Sequence, residues 1–328
     1  MRWLLALALW PIPLAGQYTL YTCTVNAKDY VVGARLPTSG IFLKPAPGEW
    51  RHAGYNVPFL TALDYDPLDP AVLYVAAGNG LLRVTGGGER WRILTGSEVT
   101  ELLDVAVDPQ APGTVYFSHT AGIRVSHDRG ATWQDAGAGL RRKYTAAIRV
   151  DRQHSGFLVA GNEQGIFRSP DGGKSWRLAG ASGFQTLHVE QSPHDPCYWL
   201  AATEGGGLFA STDCGASFES NGNLGVGRNL YDIAFDPASA DVIAVAGWGI
   251  GVAISEDRGK TWRLRNAGLP SSSVWSVAFD PAHPGWLYAG VHEEALYVSH
   301  DYGRTWARDG LEGSAVFRMK FVPEAAPR

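Results

Sequence analysis

The chain has 328 residues, 45% hydrophobic and 18% charged, with 28 Lys plus Arg against 32 Asp plus Glu for a net charge of -4. That length suits one large domain or two smaller ones, and the charge balance excludes a broadly basic nucleic-acid surface or an electrostatic hold on anionic lipid. Forty glycines, 19 prolines and a load of 12 Trp, 13 Tyr and 12 Phe point to many short strands and turns rather than a helical or Rossmann scaffold.

Residues 1–16 read as a secretory signal peptide. One positive charge at Arg2 precedes an apolar run from Trp3 to Trp10, and Ala15-Gly16 offers small residues for cleavage. The run is too short to span a bilayer, and Pro11 and Pro13 would break a spanning helix. The mature chain, 17–328, is therefore expected to be secreted or periplasmic, without membrane insertion.

Two recurrences organise the rest. Segments with the pattern Ser-x-Asp-x-Gly-x-(Ser/Thr)-(Trp/Phe) start at Ser126, Ser169, Ser211, Ser255 and Ser299, with decayed copies ending at Trp50 and Trp91. The closing aromatics Trp50, Trp91, Trp133, Trp176, Phe218, Trp262 and Trp306 lie 41, 42, 43, 42, 44 and 44 residues apart. In register with them run strand-like segments ending in Asp-Pro or a relic of it, beginning at Leu60, Leu102, Thr145, Thr186, Leu230, Val274 and Val316. Each unit then contains an inner strand A, strands B and C, the box turn, and strand D. A four-stranded unit of about 42 residues is a propeller blade. The last unit supplies only strand A and the first, from about Asp29 to Tyr55, only B, C and D. The sequence predicts a single all-β domain, a seven-bladed propeller of four-stranded blades closed by pairing the C-terminal strand with the N-terminal strands.

In each box, Asp128, Asp171, Asp213, Asp257 or Asp301 is expected to accept hydrogen bonds within its own turn, with Trp133, Trp176, Phe218, Trp262 or Trp306 driven between sheets. One carboxylate per turn falls far short of a calcium site, so no metal is expected, and no cofactor. Cys197 and Cys214 flank a hairpin that brings them together. In an oxidising compartment a disulfide is expected there, otherwise two free thiols; Cys23 is left over.

These boxes resemble the Asp-box, or BNR, repeat of photosystem II assembly factors, the sortilin Vps10 domain, two-propeller xyloglucanases and sialidases. The resemblance implies a propeller but not one function, since those families include both binding proteins and hydrolases. A xyloglucanase-like first blade would carry an aspartate after its Ala-Arg; Ala34-Arg35 is followed instead by Leu36-Pro37, and no second propeller supplies an opposing carboxylate. Arg35-Leu36-Pro37 is superficially similar to the sialidase Arg-Ile-Pro motif but falls in a B–C turn. Only Asp104 and Asp232 are kept as weak catalytic candidates, placed with His188 and Arg318 at the mouth of the channel.

A partner is expected on the face made by the D–A and B–C loops, where Arg35, Tyr144, Trp248, His292 and Glu293 lie with the basic run Arg141-Arg142-Lys143. Tyr231 and Trp275, at the starts of A strands, border it. Trp248 sits in Gly247-Trp248-Gly249, where an indole can stand free, whereas Trp199 and Trp286 are expected in the core. The reading is a non-catalytic monomer that docks a protein or polysaccharide, with a glycoside hydrolase as the alternative; nucleic acid is not expected.

Overall fold

The computed structural model describes residues 18–26, 28, 37–46, 48–140 and 142–324. The leader expected over 1–16, and Arg35 and Arg141, lie outside them. Seven four-stranded antiparallel sheets are arranged as the blades of a propeller. Blade 1 pairs the closing strand Ser314–Pro323 with Tyr18–Asn26, then Gly40–Ala46 and Glu49–Ala53. Inner strands of blades 2 to 7 are Leu60–Asp66, Leu102–Val107, Thr145–Val150, Thr186–Gln191, Asn229–Phe235 and Val274–Phe279. Closure runs the length of the pair, from Tyr18 opposite Pro323 to Asn26 opposite Ser314.

Blade 1 thus begins at Tyr18 rather than near Asp29. The segment Tyr18–Asn26 is rich in Thr, Tyr and Val, residues that fit a pleated strand, and it buries Leu20 and Cys23. Burial pushes the Cys23 thiol up to about 12, so it stays an unreactive apolar filler.

Hydrophobic contacts form seven layers between neighbouring blades instead of one central core. A second strand is therefore covered on both faces and reads as a continuous apolar run: all five residues of Leu158–Asn162, Trp199–Thr203 and Leu287–Val291 are buried. Trp199 is wholly buried. Trp286 is not core; it precedes its strand and stacks between His283 and His300, at centroid distances of 4.5 and 3.9 Å.

The boxes close on themselves. Thr132 donates to Asp128 from both its backbone N–H (2.8 Å) and its hydroxyl (2.6 Å), and Gly130 N–H donates to Ser126 Oγ at 2.7 Å. The same set recurs around Asp171, Asp213, Asp257 and Asp301. Bonds from Thr132 and Ser126 hold the Asp128 carboxyl down at about 2. At the box glycine the chain is left-handed, and a Cβ on Gly173 would sit 2.4 Å from the Ala136 carbonyl of the preceding blade. The indoles staple blades together: Trp133, Trp176 and Trp306 donate to the carbonyls of Leu94, Ala136 and Arg265 at 2.8–2.9 Å. Phe218 has no such donor and is simply packed, with its backbone N–H reaching Ala179 O at 2.8 Å.

Cys197 and Cys214 are joined in a disulfide across a sequence separation of 17. Closing a loop of that length restricts the unfolded chain, and its reduction is expected to lower stability by about 3 kcal/mol. Urea unfolding with and without dithiothreitol checks this; coincident curves would show that the bridge contributes nothing.

Candidate functional site

Each inner strand carries one extra residue relative to its partner. The register slips between Leu60 and Ala62, Leu102 and Asp104, Thr145 and Ala147, Thr186 and His188, Leu230 and Asp232, and Val274 and Ser276, and opposite the Cys23–Thr24 step between Val316 and Arg318. A bulge leaves its extra residue unpaired and re-aims its side chain. The seven bulged residues are Thr61, Leu103, Ala146, Leu187, Tyr231, Trp275 and Phe317. All are half-buried, and together they form an apolar collar around the D–A end of the channel.

On one side the collar is aromatic. Trp275 stacks on Tyr231 (centroids 4.6 Å, planes 13° apart) and meets Phe317 edge-on at 5.4 Å. Trp248 and His292 extend the cluster, lying 6.3 and 5.5 Å from Trp275 and 5.3 Å from each other. Trp248 is 44% exposed. It is presented on a tight turn: a Cβ on Gly247 would lie 2.2 Å from Asn229 O, and Gly249 has a φ of +77°. Two ring nitrogens in the cluster, Trp275 Nε1 and His292 Nδ1, have no hydrogen-bond partner. Both nitrogens are enclosed, so what the cluster offers is its aromatic surface, which suits the face of a sugar ring or an anchoring side chain of a peptide.

Beneath the collar the next ring is charged. Asp104 and Asp232 are only 1% and 3% exposed, so neither sits at the mouth where the sequence placed them; the bulge gives that position to the residue before each. Strand A is the edge of its sheet, and its axial amides lack a strand partner. The carboxylates fill that need across blades: Ile148 N–H donates to Asp104, Val277 N–H to Asp232 and Val107 N–H to Asp64, at 3.1, 3.0 and 2.9 Å. Arg149 Nη1 donates to Asp104 at 2.6 Å and Arg318 Nη1 to Asp232 at 2.7 Å. Arg318 also donates to His188 Nδ1, which assigns the neutral imidazole its proton at Nε2. Burial and the Arg318 charge drive His188 well below its usual range. Burial pushes Asp232 up to about 6 against the pull of Arg318.

A further ring, Asp64, Arg149, Glu190 and Lys320, was overlooked in the sequence, although these residues share one column two positions before the Asp of each Asp-Pro or its relic. Burial would raise Glu190, but His188, Arg149 and Arg152 hold it well below the carboxylate range. These rings line a cavity of about 340 Å³ that opens toward the box turns. Among the described residues no cluster of three or more His, Cys, Asp or Glu could hold a metal ion, and no helix is long and apolar enough to cross a membrane.

The remaining predicted contact residues are scattered over the collar face. Arg142 is exposed and lies 3.7 Å from Glu163, Lys143 is exposed, and Tyr144 is half-buried. Glu293 takes a left-handed φ of +53° beside His292. Among the described residues, Trp248, Trp275, Tyr231 and His292 are brought into one contiguous surface, joined by Phe317 and with Glu293 4.0 Å from His292 at its edge.

No protein-family model and no curated protein sequence matches this chain. Among solved structures it is similar to the GH74 xyloglucanase of Xanthomonas campestris, with a TM-score of 0.64 at 20% identity over 76% of this chain and 45% of that one. It is also similar to YCF48 bound to D1 peptide (TM-score 0.59, 17% identity, 76% and 82% covered) and to YCF48 from Cyanidioschyzon merolae (0.59, 16%, 81% and 95%). The chain spans less than half the length of that xyloglucanase. It is a seven-bladed β-propeller of four-stranded blades whose structural neighbours are GH74 xyloglucanase and YCF48 propellers.

Proposed function

We propose that this is an exported, monomeric, non-catalytic binding propeller that docks a protein segment or glycan on the collar face, centred on Trp248 and Trp275. The observation that carries the reading is the contrast between the two rings at that end of the channel. Asp104 and Asp232, the catalytic candidates, are occupied by guanidinium and amide donors, whereas the aromatic surface above them keeps an exposed indole at Trp248. Glycoside hydrolysis needs one carboxyl free to protonate the leaving group and another free to attack or activate water. One structural neighbour is a propeller bound to a peptide, which is in keeping with a docking role. The N-terminal apolar run and the disulfide support export.

The test has two arms. Purified mature protein is expected to release no reducing ends from β-glucans, xyloglucan or sialosides; turnover abolished by Asp104→Asn or Asp232→Asn would instead establish a hydrolase. In the second arm, xyloglucan oligosaccharides and an immobilised peptide panel are screened by tryptophan fluorescence and surface capture. A bound probe is expected to lose at least about tenfold in affinity in Trp248→Ala, the scale of an aromatic anchor, with the unfolding midpoint unchanged. Undiminished binding in that variant would remove the collar from the site.

A further inference from the structure

The cavity at the opposite, box-turn end of the channel has an unequal balance of donors and acceptors. Every carboxylate oxygen lining it already accepts from a named donor. Glu190 takes Arg149 Nε on one oxygen and Arg152 Nη2 on the other, both at 3.0 Å. Asp64 is held by Val107 N–H and by Lys320 at 3.1 Å, and Asp232 by Val277 N–H and Arg318. Donors, in contrast, are left over. Arg152 engages a lining carboxylate through Nη2 and Lys320 through one ammonium contact, so both have further N–H groups to offer, whereas His188 Nε2 is enclosed 3.6 Å from Glu190 Oε2.

Exposure follows the same asymmetry. In two of the ion pairs lining the cavity the cation is the more accessible member, Arg152 at 48% against Glu190 at 21% and Lys320 at 39% against Asp64 at 18%, while Arg149 and Glu190 are about equally enclosed. Arg149 and Arg318 likewise stand outside Asp104 and Asp232. A molecule entering from the box face therefore meets N–H groups and positive charge first. The rim is apolar, with Tyr65, Phe321, Phe279 and the prolines that follow the inner strands, Pro193, Pro237 and Pro281.

We propose that this cavity is a second ligand site, distinct from the collar, which takes a small organic carboxylate: the carboxylate meets Arg152 and Lys320, and the apolar body lies against the aromatic rim. A space of 340 Å³ holds a ligand of roughly the size of a substituted benzoate or smaller. Charge-assisted bonds to such a group are the strong ones, and a water-filled cavity lets their donors exchange solvent for ligand without breaking the existing ion pairs.

The chain supplies its own reporter. It has two methionines, Met1 and Met319, and Met319 lines the cavity. In the full mature chain labelled at the methionine methyl, sodium benzoate titrated at constant ionic strength is expected to shift the Met319 signal saturably. The apparent affinity is expected to fall about tenfold in Lys320→Gln and in Arg152→Gln, the loss of one charge-assisted bond. Both side chains are substantially exposed, and an unchanged unfolding midpoint shows that each variant remains folded. Absence of a saturable shift, an affinity in either variant undiminished from that of the unsubstituted chain, or an equal response to benzyl alcohol would overturn the proposal. Equal or tighter binding of inorganic phosphate would overturn the carboxylate assignment and leave a general oxyanion site.

Discussion

Replacing Arg318 by methionine is expected to cost about 3–5 kcal/mol at pH 8, because it leaves the Asp232 charge buried without its ion-pair partner, held only by the Val277 and Ile233 amides and the more distant Arg149. The effect has a pH signature. The native Asp232 carboxyl is raised to about 6 by burial, so its contribution is fully present below the ordinary 3.8 and is lost as pH rises through about 6. His188 works in the opposite sense: its depressed range makes its contribution present above 6.5 and lost as pH falls. Without Arg318, Asp232 is raised further, and His188, whose Nδ1 lies 3.3 Å from Asp232 Oδ1, is released from a repelling cation. The cost of the substitution is therefore expected to shrink as pH falls from 8 to 5, and Arg318→Met with Asp232→Asn should recover most of it. Urea unfolding at both pH values measures this. A pH-independent cost, or no recovery in the double variant, would show that Arg318 acts by packing rather than charge.

Ending the chain after Gly313 should be at least as damaging. It removes the strand that closes the ring, together with the buried side chains of Val316, Met319 and Val322. At about 1.5–3 kcal/mol for each, the loss is on the order of 5–9 kcal/mol, comparable with the whole stability of a typical domain. Cys23 reports on it directly. Its thiol is enclosed beneath the closing strand, with Arg318 as its cross-strand partner, and is expected to be inert to a thiol reagent under native conditions. In the truncated chain it should react at the rate of an unfolded cysteine. A protected Cys23 in that variant would mean that blade 1 holds without its inner strand.

The architecture was legible because its determinants are local and repeated. The box fixes a turn through side chains two and four residues apart, and its aromatic residue recurs once per blade, so even decayed copies at Trp50 and Trp91 keep the spacing. The first strand was missed because Tyr18–Asn26 carries no box and adjoins an apolar leader-like run. Trp286 was misplaced because an indole at a strand's edge looks the same in sequence as one within it. The site was only partly legible for a sharper reason. Asp104, His188, Asp232 and Arg318 read as one group at the starts of the inner strands, but a one-residue bulge decides whether they or Leu103, Leu187, Tyr231 and Phe317 face the mouth. A bulge is a property of pairing between strands, and neither strand announces it alone. Arg149, Glu190 and Lys320 were visible as a column, yet their meaning depends on partners one blade away.

The closing pair also decides how the molecule can be held. Tyr18 lies opposite Pro323, and Tyr18 lines the box-face cavity, so the chain enters and leaves the propeller at the same point on that face. Anything attached at either end, whether a lipid, a surface or a fused domain, grips the disc from below like a stalk. The collar with Trp248 and Trp275 then faces away from the attachment, open to whatever approaches from the surrounding medium.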